Sequence, residues 1–466
     1  MSVRWTLGLL ALAAALAAWV YFGELRGAER KKEAESAAKR VFGVEPGSVT
    51  ALELTLADGK SARVAREGAS GWKLESPVAY PADAETVERA LHALAKVQST
   101  ATISPAPADL GPFGLGDAGK KVRVFTGPGD PQELAVGGPT PVGGGKYLSL
   151  ASDPSRVFAV GAGDLYGLTP TLVELRDKRL LRAAAGGADE LTVRVHGALI
   201  AHAKRSDAGW QLLEPEAAPG DAEKIRRTLE ELGLARATEF ADSPGKLEAY
   251  GLAQPELELW VHTAAGEERL SLGRGDDKTW LRRDDDPVLL AVNPAVVTAV
   301  PAHTFDYRAK RVLTLASDKV RALELAYPRT GESHRFALQA SDWKPVEPGL
   351  EVRPLKIEDL FFAIASLDAT GIEVPSADRK ALGLEPPLVK LVAFDEKGAE
   401  LGALSLGDAS VDKGIPAVSS QNGDLWRVSN DLGQEVPLTP EAFKNQFQKP
   451  VAAAAQPPPP APPPSE

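Results

Sequence analysis

Several short stretches of this chain hold residue types that do chemistry elsewhere. Gly143-Gly144-Gly145-Lys146-Tyr147 comes nearest to a phosphate loop. That loop needs a glycine five residues before the glycine preceding its lysine, and a Ser or Thr after the lysine. Thr140 and Tyr147 stand there instead, so the stretch reads as a Gly/Pro turn between strands. Gly68-Ala69-Ser70-Gly71 is one residue short of a Gly-x-Ser-x-Gly elbow and runs into a strand where the elbow needs a helix. The six histidines (His92, His196, His202, His262, His303, His334) include no i, i+4 pair and no His-Glu-x-x-His, so no zinc site is expected. Asp284-Asp285-Asp286 lacks the alternating ligands and distal Glu of a calcium loop and reads as a hairpin tip. Arg274-Gly275-Asp276 is turn chemistry after a strand. With no cysteine in the chain, disulfides, thiolate zinc, iron–sulfur clusters and cysteine nucleophiles are excluded.

Two further sets carry weight because they recur. Trp72, Trp210 and Trp343 are able to stack on a sugar or peptide, but each sits on a strand among polar neighbours, which fits an anchor facing the core. Arg176-Asp177-Lys178-Arg179 and Arg308-Ala309-Lys310-Arg311 are expected to pair with acids between modules, with partner contact as the other reading of Arg176, Lys178, Arg308 and Lys310. No catalytic residue, cofactor or metal is expected.

The elements that hold these residues follow from repetition. Gly71-Trp72-Lys73-Leu74-Glu75-Ser76-Pro77 returns as Gly209-Trp210-Gln211-Leu212-Leu213-Glu214-Pro215 and again as Asp342-Trp343-Lys344-Pro345-Val346-Glu347-Pro348. Phe113-Gly114-Leu115 returns as Tyr250-Gly251-Leu252 and Leu382-Gly383-Leu384, and the glycine of Leu134-Ala135-Val136-Gly137 returns as Gly273 and Gly407. Three landmarks in one order at one period define a repeat. Within it, Leu52, Leu54 and Leu56 alternate into Asp58-Gly59, a hairpin signal, and Leu191, Val193 and Val195 do the same before Gly197. Asp83 and Asp221 are N-cap candidates for helices whose apolar stripes are Val87, Leu91, Leu94 and Ile225, Leu229, Leu232. The third stripe is read at the same offsets as Leu360, Ile364 and Leu367.

The fold class expected is α+β: three tandem modules, each an antiparallel-rich sheet with one packed amphipathic helix, at 48–182, 188–312 and 318–447. Hinges at 183–187 and 313–317 are left open. Residues 448–466 form an Ala/Pro-rich tail that cannot build a core and is expected to be extended and disordered. The net charge of −11 offers no broad basic footprint for nucleic acid.

Trp5 to Phe22 carries no charge and has aromatic residues at both ends, as a transmembrane helix does. A cleaved signal peptide, with Ala15-Leu16-Ala17 as its site, is the alternative. A charged stalk occupies 23–47. Arg4 precedes the anchor, while Arg26, Arg30, Lys31, Lys32, Lys39 and Arg40 follow it, so the positive-inside rule taken literally keeps the large domain cytoplasmic.

The Gly-Trp-x-Leu-x-x-Pro strand, the helix after it, the Tyr-Gly-Leu turn and the Leu-Arg-Asp-Lys closing segment (Leu175 to Lys178) resemble the bacterial domain-of-unknown-function family 4340. The third module departs from that pattern, with Pro345 after Lys344 and no closing basic motif. The resemblance implies a single-anchor envelope protein of the inner membrane with its large domain in the periplasm. It implies a place beside ABC-type export systems of the kind linked to gliding motility, and it implies no catalytic residue. The function expected is thus a membrane-anchored, non-enzymatic envelope adaptor whose partners are ABC-type transporter subunits. A periplasmic glycan- or peptide-binding module is the alternative, and a hydrolase with a hidden site the third reading.

Overall fold

The computed structural model describes residues 36–37, 39–68, 71–116, 119–127, 129–165, 167–284 and 286–449. The anchor at 5–22, the first part of the stalk and the tail beyond Lys449 lie outside the described residues, as do Ala69, Ser70 and Asp285. Among the described residues no helix is long and apolar enough to cross a membrane.

The described residues form three sheets. The first holds β1 (Ala51–Thr55), β2 (Ser61–Glu67), β3 (Gly71–Ser76), β4 (Tyr80–Pro81), β5 (Ser99–Ile103), β6 (Lys120–Phe125), β7 (Gln132–Pro139), β8 (Gly145–Leu150) and β9 (Asp153–Gly161). Helix α1 (Ala84–Lys96) precedes β5, and the short α2 (Leu172–Leu175) follows β9. The second holds β10 (Ala188–Val195), β11 (Ala198–Ser206), β12 (Gly209–Glu214), β13 (Ala218–Pro219), β14 (Glu239–Ala241), β15 (Leu257–Thr263), β16 (Gly266–Gly275), β17 (Lys278–Arg283) and β18 (Leu289–Val292). Its helices are α3 (Ala222–Leu234) before β14 and α4 (Ala295–Ala299) after β18. The third holds β19 (Ala322–Tyr327), β20 (Glu332–Gln339), β21 (Asp342–Pro345), β22 (Gly371–Ile372), β23 (Val389–Phe394), β24 (Glu400–Leu406), β25 (Ile415–Ser419) and β26 (Leu425–Val428). Here α5 (Pro354–Ala365) precedes β22 and α6 (Pro440–Gln446) closes the described chain.

The strand orders are 4-3-2-1-6-7-8-9-5, 13-12-11-10-15-16-17-18-14 and 21-20-19-23-24-25-26-22. They are one permutation used three times, except that the third lacks the two-residue edge strand. Among the described residues strand accounts for 41% and helix for 21%, mostly as antiparallel sheet, so the class is α+β. By contact density the chain separates into two units: residues up to 188 with 195–197 and 229–299, and residues 189–194, 198–228 and 300 onward.

Each sheet is two-faced because its strands alternate. In the first, Leu52, Leu54, Val64, Trp72 and Leu74 join Val87, Leu91 and Leu94 of α1 in one buried cluster. Burying each such aliphatic side chain contributes about 1.5–3 kcal/mol. The other face is a charge ladder. Glu53 lies opposite both Arg63 and Arg123, and Arg123 lies opposite Glu133. The ion pairs are 2.8 Å for Arg63–Glu53, 2.8 Å for Arg63–Glu75 and 2.7 Å for Arg123–Glu133.

Helix starts follow the caps. Asp83 accepts from the Thr86 N–H at 2.8 Å and Asp221 from the Lys224 N–H at 2.9 Å. The third helix corrects the sequence reading. It begins at Pro354 after Arg353, without a side-chain cap, and ends at Ala365, so Leu367 lies beyond it. Ala82 bridges Arg176 and Val352 bridges Gln448, which makes Ile357, Phe361 and Ile364 the counterparts of Val87, Leu91 and Leu94. The stripe read as Leu360, Ile364 and Leu367 was displaced by three residues, because one-helix periodicity repeats nearly as well at a shift of three. Leu360 is nonetheless buried, in the place of Ala90.

The two glycine landmarks meet in space. Gly114, Gly251 and Gly383 have φ of +64°, +68° and +70°. A Cβ on Gly114 would stand 2.5 Å from Gly138 N, and one on Gly251 would stand 2.6 Å from Arg274 N. From the other side, Cβ atoms on Gly137, Gly273 and Gly407 would collide with the carbonyls of Phe113, Gly251 and Leu382. Backbone rests on backbone in each repeat, and only glycine allows it.

Gly251→Ala is therefore expected to lose about 2–4 kcal/mol, combining left-handed strain with a backbone clash. Gly197→Ala shares the positive φ (+80°) but meets nothing within 4 Å, and is expected to lose about 1 kcal/mol. Urea titration of both variants checks this, and equal losses would remove the contact argument.

Candidate functional site

The recurrent basic motif builds the most distinctive interior of the molecule. Arg176 follows α2, whose start is held by a Thr171–Glu174 capping box. It bridges Ala82, just before α1, and Arg179 bridges Arg236, just after α3. Only Asp177 and Lys178 separate the two bridges. Arg308 repeats the arrangement on Gly220, Arg311 repeats it on Asp368, and Ala309 and Lys310 lie between. The motif thus straddles a seam: its first arginine closes one repeat and its Lys-Arg opens the next. At the two ends of the array the motif is halved. Arg40 bridges Gln98 at the start of the first repeat, and Gln448 takes the arginine position on Val352 in the third. This explains why the third module has no closing motif, and Lys39-Arg40-Val41 was the sequence signal for the halving at the start.

At the first seam, Arg176 is 2% exposed and grips Asp242 with both ends of its guanidinium, Nη1 to Oδ1 at 2.7 Å and Nη2 to Oδ2 at 3.0 Å. Its plane lies over Phe240 at 4.8 Å and near Tyr80 at 5.6 Å. Arg283, also buried, donates to the Arg179 carbonyl at 2.9 Å and to the Tyr80 hydroxyl. Burial pushes the Tyr80 phenol up and the Arg283 guanidinium down from their ordinary values. Burial also works against ionised Asp177, but the Arg179 guanidinium (2.9 and 2.8 Å) and the Arg179 N–H (3.1 Å) outweigh it and hold its carboxyl below the usual value. The carboxylate of Glu268 accepts the N–H groups of Arg182 (2.9 Å) and Ala183 (2.6 Å).

At the second seam, Arg308 pairs with Asp424 at 2.5 Å and Glu216 at 3.3 Å and lies over Trp426 at 5.0 Å. Ala218 fills the position that Tyr80 holds in the first repeat, opposite Leu212 as Tyr80 is opposite Leu74. A cavity of about 170 Å³ is lined by Arg308 together with Glu216, Glu373 and Asp424. Lys178 and Lys310 are half-buried, and their carbonyls accept from Ala237 at 2.8 Å and Ala369 at 2.7 Å. Lys310 also reaches Asp306 at 3.4 Å and lies over Phe305. The seam partners Asp242, Asp424, Tyr80, Arg283 and Trp426 were not singled out from sequence, because none of them recurs at the repeat period.

The structure places Trp72, Trp210 and Trp343 in the interior, at 2%, 5% and 5% exposure. Trp72 donates to Glu88 of α1 at 2.9 Å, and Trp343 packs on Phe361 of α5. Gly143 and Gly144 form the β7–β8 turn, closed by the Gly145 N–H on Thr140 Oγ1 at 3.0 Å. Asp276 and Asp277, at φ +52° and +60°, make the two-residue turn after Arg274-Gly275. Asp284 and Asp286 receive the Arg269 and Val288 N–H groups. His92, His196, His262 and His303 are exposed; His202 pairs with Glu190, and His334 is buried beside Glu347. Among the described residues no three His, Cys, Asp or Glu side chains are grouped to hold a metal ion. Asp177, Asp242 and Asp424 each already neutralise a guanidinium, an arrangement suited to holding structure and not to abstracting protons.

Fold and seams together define a tandem α+β repeat protein whose recurrent residues are interior. Residues 72–209 and 210–387 match the family described as Domain of unknown function (DUF4340), over more than half of the chain, and the chain belongs to that family. Both matches begin at a repeat tryptophan, as tandem copies would. Comparison with curated proteins and with solved structures found no match.

Asp242→Ala strands Arg176 inside the seam and is expected to lower stability by about 3 kcal/mol, the low end for a buried pair because Asp242 keeps a third of its side chain in water. Arg176→Met combined with Asp242→Leu is expected to recover most of that loss in chemical denaturation. If the double variant is no better than Asp242→Ala, the ion pair is not what matters.

Asp177 gives a pH signature. Its folded pKa lies below the ordinary 3.8, so its contribution is complete above the unfolded value and disappears as pH falls through the folded one. The stability gap between the parent chain and Asp177→Asn is expected to be constant above about pH 5 and to shrink below about pH 4. A gap unchanged at low pH would contradict this.

Proposed function

We propose that this protein is a single-pass, membrane-anchored adaptor of the bacterial envelope, with three tandem modules in the periplasm serving an ABC-type export complex without catalysis of its own. The observation that carries this reading is the destination of the repeated residues. Indoles, glycines and seam arginines all turn inward to hold repeats together, which is what a scaffold requires. The uncharged run from Trp5 to Phe22 supplies the anchor in this reading, and the charged stalk follows it.

Charge sets the N-terminal end apart from the modules, although the positive-inside count around Trp5–Phe22 favours the cytoplasmic side. Residues 1–47 hold 7 basic and 5 acidic residues, and 48–182 hold 15 of each. Residues 188–312 hold 16 basic and 22 acidic, and 318–447 hold 14 and 21. The basic end suits anionic headgroups, and the acidic modules are repelled by them. A stacking platform for a glycan would have to be built from residues other than the three buried indoles.

Crosslinking in intact membranes followed by affinity capture is expected to recover the membrane and nucleotide-binding subunits of one exporter. Protease added to spheroplasts is expected to digest the large domain. Survival of that domain in spheroplasts, together with its digestion in inverted vesicles, would place it on the opposite side and end the proposal.

A further inference from the structure

The exposed side of α1 is basic, and it lines a cavity. Arg89, His92 and Lys96 recur at i, i+3 and i+7, so they share one side of the helix over about 10.5 Å. With Ala93, and with Gly163 and Asp164 of the turn Ala162–Leu165, they line a cavity of about 320 Å³. Asp164 is the one carboxylate among the described residues of that lining. Arg89 also meets Glu85 at 3.0 Å, an exposed pair that holds it weakly. Counted from the bridge positions Ala82, Gly220 and Val352, the counterparts of Arg89, His92 and Lys96 are Arg227, Glu230 and Leu234 on α3 and Asp359, Phe362 and Ser366 on α5. Only the first repeat makes this strip basic, in a chain whose net charge is −11.

More basic residues gather at the same end of α1. Arg40 bridges Gln98, and the Val41 N–H donates to the Val97 carbonyl at 3.0 Å. Lys39 and Arg40, both exposed, therefore lie beside the last turn of α1, which carries Lys96. We propose that this cavity and strip seat the phosphate of an anionic phospholipid headgroup and hold the first module against the bilayer, an inference that rests on the membrane-anchored reading above. Phosphate oxygens accept from guanidinium and ammonium groups in strong, charge-assisted bonds, and each cation adds to the attraction of an anionic surface. Ligand pockets run from about 300 to 1,000 Å³, so this one, at the small end, has room for a headgroup and none for acyl chains. Lys39 comes seventeen residues after Phe22, a reach of about 60 Å at most. A tether of that length keeps lipid phosphate within range at high effective concentration, whereas a soluble phosphate ester has to arrive by diffusion.

His92 gives the test a reporter inside the site. Its imidazole NMR signals, assigned with His92→Gln, are followed in the full-length protein in neutral detergent while glycerophosphoglycerol, the deacylated headgroup of phosphatidylglycerol, is added at constant pH and ionic strength. A saturable shift is expected at His92 and not at His303. Arg89→Gln combined with Lys96→Gln is expected to weaken it about tenfold. Arg226→Gln combined with Arg227→Gln, which removes the same charge from α3, is expected to leave it unchanged. In nanodiscs the His92 shift is expected with equal parts phosphatidylcholine and phosphatidylglycerol and not with phosphatidylcholine alone. No saturable shift, or one that survives the α1 double variant, overturns the site. A shift with glycerophosphoglycerol but none in phosphatidylglycerol nanodiscs that hold the protein overturns the lipid as its occupant. Failure of the protein to enter nanodiscs at all removes the anchored reading and the lipid with it, and the detergent titration then shows separately whether the phosphate site stands.

Discussion

A guanidinium cannot enter a protein interior alone. Removing it from water demands a carboxylate in matched geometry. Arg176 and Arg308 meet that demand from outside their own repeats, with Asp242 and Asp424, and this pins each closing segment to the repeat that follows. The bridges of Arg179 to Arg236 and of Arg311 to Asp368 come only three residues later, so the chain has no slack within either seam. Position and partner are settled together.

The seams are equivalent in backbone but not in side chains. The first is filled by Tyr80, Phe240 and Arg283, the second by Trp426, with a small cavity beside Arg308. Buried ion pairs of this kind specify a geometry more than they stabilise it. One arginine is thus packed differently at each seam.

In the second and third sheets the last strands, Leu289–Val292 and Leu425–Val428, are buried on both faces. In the first sheet the outward face is a neutralised ladder of Glu53, Arg63, Glu75, Arg123 and Glu133. The repeated indoles lie under the helices. Among the described residues, the outward sides of the long helices expose Leu234 at the end of α3 and Leu355 and Phe362 on α5.

Much of this was legible in the sequence, for a physical reason. Hairpins, Asp caps, helix stripes and the glycine landmarks are local patterns, and the three-fold period let each copy vouch for the others. The burial of Trp72, Trp210 and Trp343 followed from their strand setting and shared spacing. What sequence could not supply was pairing at a distance. The meeting of Gly114 with Gly138, the grip of Arg176 on Asp242, and the three-residue displacement of the α5 stripe depend on which strands lie side by side and where a helix sits on its sheet. Those relations arise from packing of the whole repeat, where partners dozens of residues apart are chosen by shape and charge and leave no periodic trace in the chain.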